Sequence, residues 1–222
     1  MCRRWDVRIR DRSFLTLTPR SATKPRKKAP TVPPAGSGEL RDGFKFRSGH
    51  VALDLPATVA GRFKPTPTDL LTSPADLDRW MVAAGLTTHR PGASQADLLQ
   101  ARELRECLYR LGVALVRGDR FAPADAAGLN HFALVAPPAP QLGTHGLTWS
   151  SEGVANLLAV VARAGAELLG GDARERVRAC AGAGCSILFL DGSRAGDRRW
   201  CSMAACGNRA KLAEFRKRER YL

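Results

Sequence analysis

Residues 180–220 read CAGAGCSILFLDGSRAGDRRWCSMAACGNRAKLAEFRKRER, and this stretch decides how the chain is understood. Cys180 and Cys185 form one C-x4-C pair and Cys201 and Cys206 a second, with 15 residues between the pairs. Zinc takes about four tetrahedral ligands, and closely spaced thiolates can wrap it from two knuckles. Gly182 and Gly184 relax the first turn so that both sulfurs can point inward. Ile187 to Leu190 reads as a strand, Asp191-Gly192 and Gly196-Asp197 as turns, and Arg199 to Cys201 as a returning strand. From Cys206 onward the sequence has helical propensity. Knuckle, hairpin and helix in that order make a treble-clef-like zinc module. It holds few large apolar side chains, and so small a unit rarely folds without a staple. A structural Zn2+ on Cys180, Cys185, Cys201 and Cys206 supplies one. Two disulfides, or four unrelated buried cysteines, are the other readings. Four protein ligands leave no open position, so the ion is expected to be structural rather than catalytic.

On a helical wheel Arg209, Arg216 and Arg220 share a face flanked by Lys217, with Lys211 and Arg218 on the remaining surface. Leu212 and Phe215 are expected to turn toward the hairpin. With Arg198 and Arg199 these cations form a patch suited to phosphate contacts, and DNA is the expected partner. The candidate nucleic-acid residues are Arg198, Arg199, Arg209, Lys211, Arg216, Lys217 and Arg220. The bland reading is a solvated cationic face, or one that docks on an acidic protein. Phosphate contacts position a protein without specifying bases, so no sequence preference follows.

Working outward, the net charge is +14. Residues 1–40 and 174–222 each carry +7, while residues 41–173 are balanced at 13 cations against 13 anions. Clustered cations attract phosphate polyanions and release their counterions on binding. Residues 20–38, RSATKPRKKAPTVPPAGSG, have little to bury, and residues 1–40 are expected to form a disordered basic tail.

Residues 41–173 read as a helical domain. Ser73-Pro74 starts one helix, which Gly85 closes. Ser94 with Asp97 starts a longer one, striped by Ala101, Leu104, Leu108, Leu111 and Leu115 and ended by Gly118. Leu157, Val160, Val161, Ala164 and Leu168 mark a third, ended by Gly170-Gly171. Leu147 to Trp149 is extended. Cys107, beside the long helix's stripe, is a small core residue. The expected fold is therefore mainly α, with a small zinc-bound α+β module after a helical domain.

No stretch approaches the roughly 18–20 apolar residues of a membrane span, and the first residues lack an apolar signal region. A cytoplasmic protein is expected, where clustered cysteines are more often metal ligands than disulfides. His50, His89, His131 and His145 are scattered, and no glycine-rich phosphate loop or nucleophile elbow occurs, so no enzyme is expected.

Arg199 to Met203, followed by Cys206-Gly207-Asn208-Arg209, resembles the signature of the CGNR zinc-finger family. Upstream, Gly49-His50-Val51-Ala52-Leu53-Asp54-Leu55 resembles the opening motif of the ABATE domain that precedes this finger. Arg62, Asp69-Leu70-Leu71, Trp80 and Leu104-Arg105-Glu106 follow in order. The resemblance spans roughly residues 44 to 220. It implies a bacterial DNA-binding regulator whose helical domain senses stress or binds a small-molecule effector, with the four cysteines on zinc and Arg209 at the start of the basic helix. His50, Asp54, Thr58 and Arg62 are the candidate ligand-binding residues; Asp54 and Thr58 read equally as capping or turn residues. The family's opening motif continues with an Asn-Thr pair, and here Ala57 replaces the Asn, which puts any role of that amide in doubt. A homo-oligomer is compatible with this reading.

Overall fold

The structure, a computed structural model, describes residues 39–219. The expected basic tail lies outside the described residues as far as residue 38, as does Arg220. Glu39 and Leu40, placed in that tail from sequence, instead open a strand.

That strand, β1 (Glu39–Arg41), pairs antiparallel with β2 (Phe44–Phe46). The turn between them puts Asp42 at φ 45° and Gly43 at φ 81°, the left-handed pair that a two-residue hairpin requires. A short helix α1 (Val51–Asp54) and a 3-10 turn over Pro56–Thr58 lead into β3 (Val59–Ala60), which pairs with β4 (Thr68–Asp69).

Two capping boxes then start the first long helices as their sequences require. Ser73 and Asp76 exchange hydrogen bonds at α2 (Pro74–Ala83), and Ser94 and Asp97 do so at α3 (Gln95–Arg117). Gly118, at φ 76°, closes α3 in the left-handed conformation. Then come α4 (Pro123–Leu134), the exposed hairpin β5 (Ala139–Gly143) and β6 (Gly146–Ser150), and α5 (Val154–Gly170).

The core lies where α3, α4 and α5 pack on one another and on α1 and α2. Leu77, Trp80, Met81, Leu98, Leu104, Leu108, Leu157 and Val161 are all completely buried in it. Cys107 is buried at its edge as expected, and burial pushes its thiol up. Gly165 sets the spacing of α5. A Cβ there would fall 2.5 Å from Leu108 Cδ2 and 3.4 Å from the Ala52 side chain, so any larger residue would push the helices apart.

After a 3-10 turn at Asp172–Arg176 the chain enters β7 (Val177–Ala179) and β8 (Leu188–Leu190). Here the sequence reading is corrected. β8 pairs with β7, Val177 opposite Leu190, and not with Arg199–Cys201, which forms no strand. The cause is what each segment can bury. Alternation along β8 turns Leu188 toward Val177, Leu53 and Leu168, and turns Phe189 to the opposite side with the cysteines. Val177 fills that apolar face, whereas Arg199–Cys201 would bring an arginine to it. The knuckle of Cys180 and Cys185 is therefore the tip of the hairpin. A π-helical turn (Met203–Gly207) leads into α6 (Asn208–Glu219).

α6 brings a second correction. None of its residues is buried; Leu212 is 48% and Phe215 57% exposed. The hairpin's two faces are already taken by the helical core and by the knuckle, so nothing remains for Leu212 and Phe215 to pack against. The expectation of a mainly α chain with a small metal-binding α+β module at its end holds.

The module is joined to the helical domain by close contacts. The Leu190 amide donates to the Ser48 carbonyl across 2.6 Å. Gly49, at φ 78°, would place a Cβ 3.2 Å from the Leu190 carbonyl oxygen. Gly112 on α3 would place one 2.6 Å from Leu188 Cδ1. Glycine at these two positions lets β8 lie directly on the domain beneath it.

Candidate metal centre

The hairpin tip and the π-helical turn bring four sulfurs together. The Sγ atoms of Cys180, Cys185, Cys201 and Cys206 all lie within 4.8 Å of one another. Cys185 and Cys201 are 3.9 Å apart, and Cys201 and Cys206 are 3.8 Å apart. Metal–thiolate bonds of roughly 2.3 Å in a tetrahedron put sulfurs about 3.8 Å apart, so the cradle has the dimensions of a four-coordinate ion. The separations far exceed a disulfide bond of about 2.05 Å, and each of the four cysteines is free.

The backbone is shaped to this purpose. A Cβ at Gly182 would lie 2.9 Å from Cys206 Cβ and 3.0 Å from its sulfur, so only glycine lets the knuckle close over the second pair. Donors converge on the sulfurs: the Gly182 and Cys201 amides reach Cys180 Sγ at 3.4 and 3.3 Å. The Arg209 guanidinium reaches Cys206 Sγ at 3.1 Å. Hydrogen bonds from Cys185 and Cys201 hold the Cys180 thiol far below its usual range, and the same Cys180–Cys185 bond pushes Cys185 up to about 11. Cys201 is raised as well, first by Cys180. Sulfurs forced to share protons in this way are the electrostatic situation that a divalent cation resolves. Cys201 and Cys206 are buried and Cys185 partly so, which limits solvent access.

The candidate nucleic-acid residues divide. Arg199, Lys211, Arg216 and Lys217 are exposed, Arg199 with its Cζ 5.2 Å from the Trp200 ring. Arg198 is bound inward, donating to the carbonyls of Trp200 and Cys201 and lying over the Phe189 ring. Arg209 is exposed but engaged at Cys206. Arg220 lies outside the described residues.

The candidate ligand residues fall into two groups. Asp54 is buried and accepts from the Ser48 amide at 3.2 Å, with the Ser48 hydroxyl 2.7 Å away. His50 sits beside them with Nδ1 buried and unpaired, and burial lowers its pKa. Thr58 donates to the Leu55 carbonyl at 2.7 Å and accepts from Arg105 at 3.3 Å. Arg62 forks onto Glu106 at 2.7 and 3.0 Å and lies 4.0 Å over the Tyr109 ring. Arg105, 6% exposed, binds Asp69 at 2.7 and 3.0 Å. Asp54, Thr58 and Arg62 thus each have partners within the domain.

Sequence reasoning missed a cavity of about 360 Å³ between the first two hairpins and the metal module. Lys45, Arg47, Lys64 and Arg209 line it, with Gly184 and Ser186 of the knuckle. The signal was present in Phe44-Lys45-Phe46-Arg47. Strict alternation buries the two aromatics and turns the two cations to the other side.

Comparison with known families fits this geometry. Residues 49–172 match the ABATE family, described as "Putative stress-induced transcription regulator", and residues 176–219 match the CGNR zinc finger. No curated protein matches the chain.

Proposed function

This chain belongs to the ABATE family, and from that premise we propose that it is a DNA-binding transcriptional regulator whose four-cysteine site holds a structural zinc ion. An all-sulfur donor set of this size suits zinc, and four protein ligands leave no coordination position for a substrate. The ion's proposed role is accordingly structural; no helix among the described residues is long and apolar enough to cross a membrane.

The observation that carries the DNA reading is α6. It leaves the metal site with every residue from Lys211 to Glu219 exposed, and it presents Lys211, Arg216 and Lys217. With Arg199 these supply about four phosphate contacts, and affinity should then fall roughly a hundredfold between 50 and 200 mM salt. A gel-shift titration across salt tests this. An absence of binding at low salt, or binding unchanged in Arg216→Ala/Lys217→Ala, removes the reading.

One observation favours a second reading, docking on an acidic protein. Met203, Leu212 and Phe215 expose apolar surface among the cations, as protein interfaces do. Co-purification of a stoichiometric acidic protein without nucleic acid would support it over DNA.

A further inference from the structure

We propose that the cavity between the first hairpins and the knuckle binds a small phosphorylated metabolite. At about 360 Å³ it falls within the roughly 300–1,000 Å³ of small-molecule sites. Four cations line it, Lys45 from β2, Arg47 just after it, Lys64 from the segment between β3 and β4, and Arg209 from α6, and no Asp or Glu does. Among the described residues no ion pair engages Lys45, Arg47 or Lys64, and Arg47 Nε is buried without a hydrogen-bond partner. Elsewhere on the domain arginines find carboxylates: Arg62 has Glu106, Arg79 has Asp42, Arg105 has Asp69 and Arg110 has Asp125.

The cysteines, two of which (Cys185 and Cys206) also line the cavity, offset only part of this charge. Four thiolates around a divalent ion carry about −2, with Arg209 hydrogen-bonded there, so the four lining cations exceed the metal centre's charge by about +2. A doubly charged phosphate monoester supplies the missing counter-charge and several acceptor oxygens. Ser186 adds a hydroxyl and Thr66 another, suited to a sugar or other polyol. A cavity of this size, with walls from both the helical domain and the knuckle, favours a compact ligand over the continuous backbone of a nucleic acid. The site shares Arg209 with α6 but uses none of Arg199, Lys211, Arg216 and Lys217, so the proposal stands or falls separately from DNA binding.

The test is calorimetric titration of the zinc-loaded full chain with inorganic phosphate and with a hexose phosphate at low ionic strength, against chloride. Saturable one-site binding is expected, tighter for the hexose phosphate. Arg47→Ala and Lys64→Glu should each weaken it by roughly tenfold or more. Lys64 is exposed on a turn, so its variant keeps the fold even if Arg47→Ala does not. Arg178→Ala and Lys217→Ala, which remove charge from other exposed positions of the module, should leave phosphate affinity unchanged. The proposal is overturned by non-saturable binding, by equal losses in the Arg178 and Lys64 variants, or by a Lys64→Glu effect on DNA affinity with none on phosphate.

Discussion

Arg209 donates to the sulfur of Cys206 across 3.1 Å, so the first cation of the carboxy-terminal helix belongs to the metal site as much as to the basic surface. The sulfur in turn raises the guanidinium's pKa, locking the charge in place. Partners of this kind typically change metal affinity by about 10–100-fold. Arg209→Ala should therefore weaken zinc binding by that order, measured by competition with a chromophoric chelator. An unchanged affinity would show the contact to be incidental.

Removing the metal should do more than loosen a tail. The hairpin that carries Cys180 and Cys185 at its tip also contributes Val177 and Leu188 to an apolar cluster with Leu53 and Leu168. Cys201→Ser, or chelation of the wild type, should abolish stoichiometric zinc and lower the melting temperature of the whole chain. A thermal transition identical with and without metal would contradict the coupling.

The Arg105–Asp69 pair makes the domain acid-sensitive. Burial raises the Asp69 and Glu106 carboxyls, but Arg105 on Asp69 and Arg62 on Glu106 outweigh it, and both pKa values end below normal. The unfolded chain then binds more protons than the folded one as pH falls through the usual carboxylate range near 4. Stability should be full above that range and decline beneath it. Asp69→Asn leaves Arg105, at 6% exposure, with Glu106 as its remaining carboxylate and should cost about 2 kcal/mol near neutrality, with a flatter acid limb in denaturant titrations.

Gly112 tests the seam between the two matched regions. Leu188 Cδ1 lies 2.6 Å from where a Cβ would stand, so Gly112→Leu should cost about 2 kcal/mol by overpacking. Limited proteolysis should then cut near residues 171–176 faster than in the wild type. Cleavage at the original rate would mean that the seam yields without separating.

Local signals in the chain were read well from sequence. Ser73, Ser94 and Gly118 act as the caps their neighbours demand, and the four cysteines converge as their spacing suggests. The failures concern what a segment packs against. Arg199–Cys201 looked like the partner strand because it follows a turn, yet Val177, a single apolar residue before the first cysteine, had the better claim on β8. Leu212 and Phe215 looked inward on a wheel, but no periodicity reveals that the surface they would cover is already occupied. Lys45 and Arg47 escaped notice because the cavity they line is made by a hairpin some 140 positions from the knuckle.

The fit of Leu188 against Gly112, together with the Leu190 amide on Ser48, also bears on heredity. A finger transplanted from a relative with a bulkier side chain at position 188, or onto a domain with alanine at 49, would meet a surface cut for another shape. Chimeras should therefore work only when these positions travel together, and the two regions should be inherited as one piece rather than shuffled.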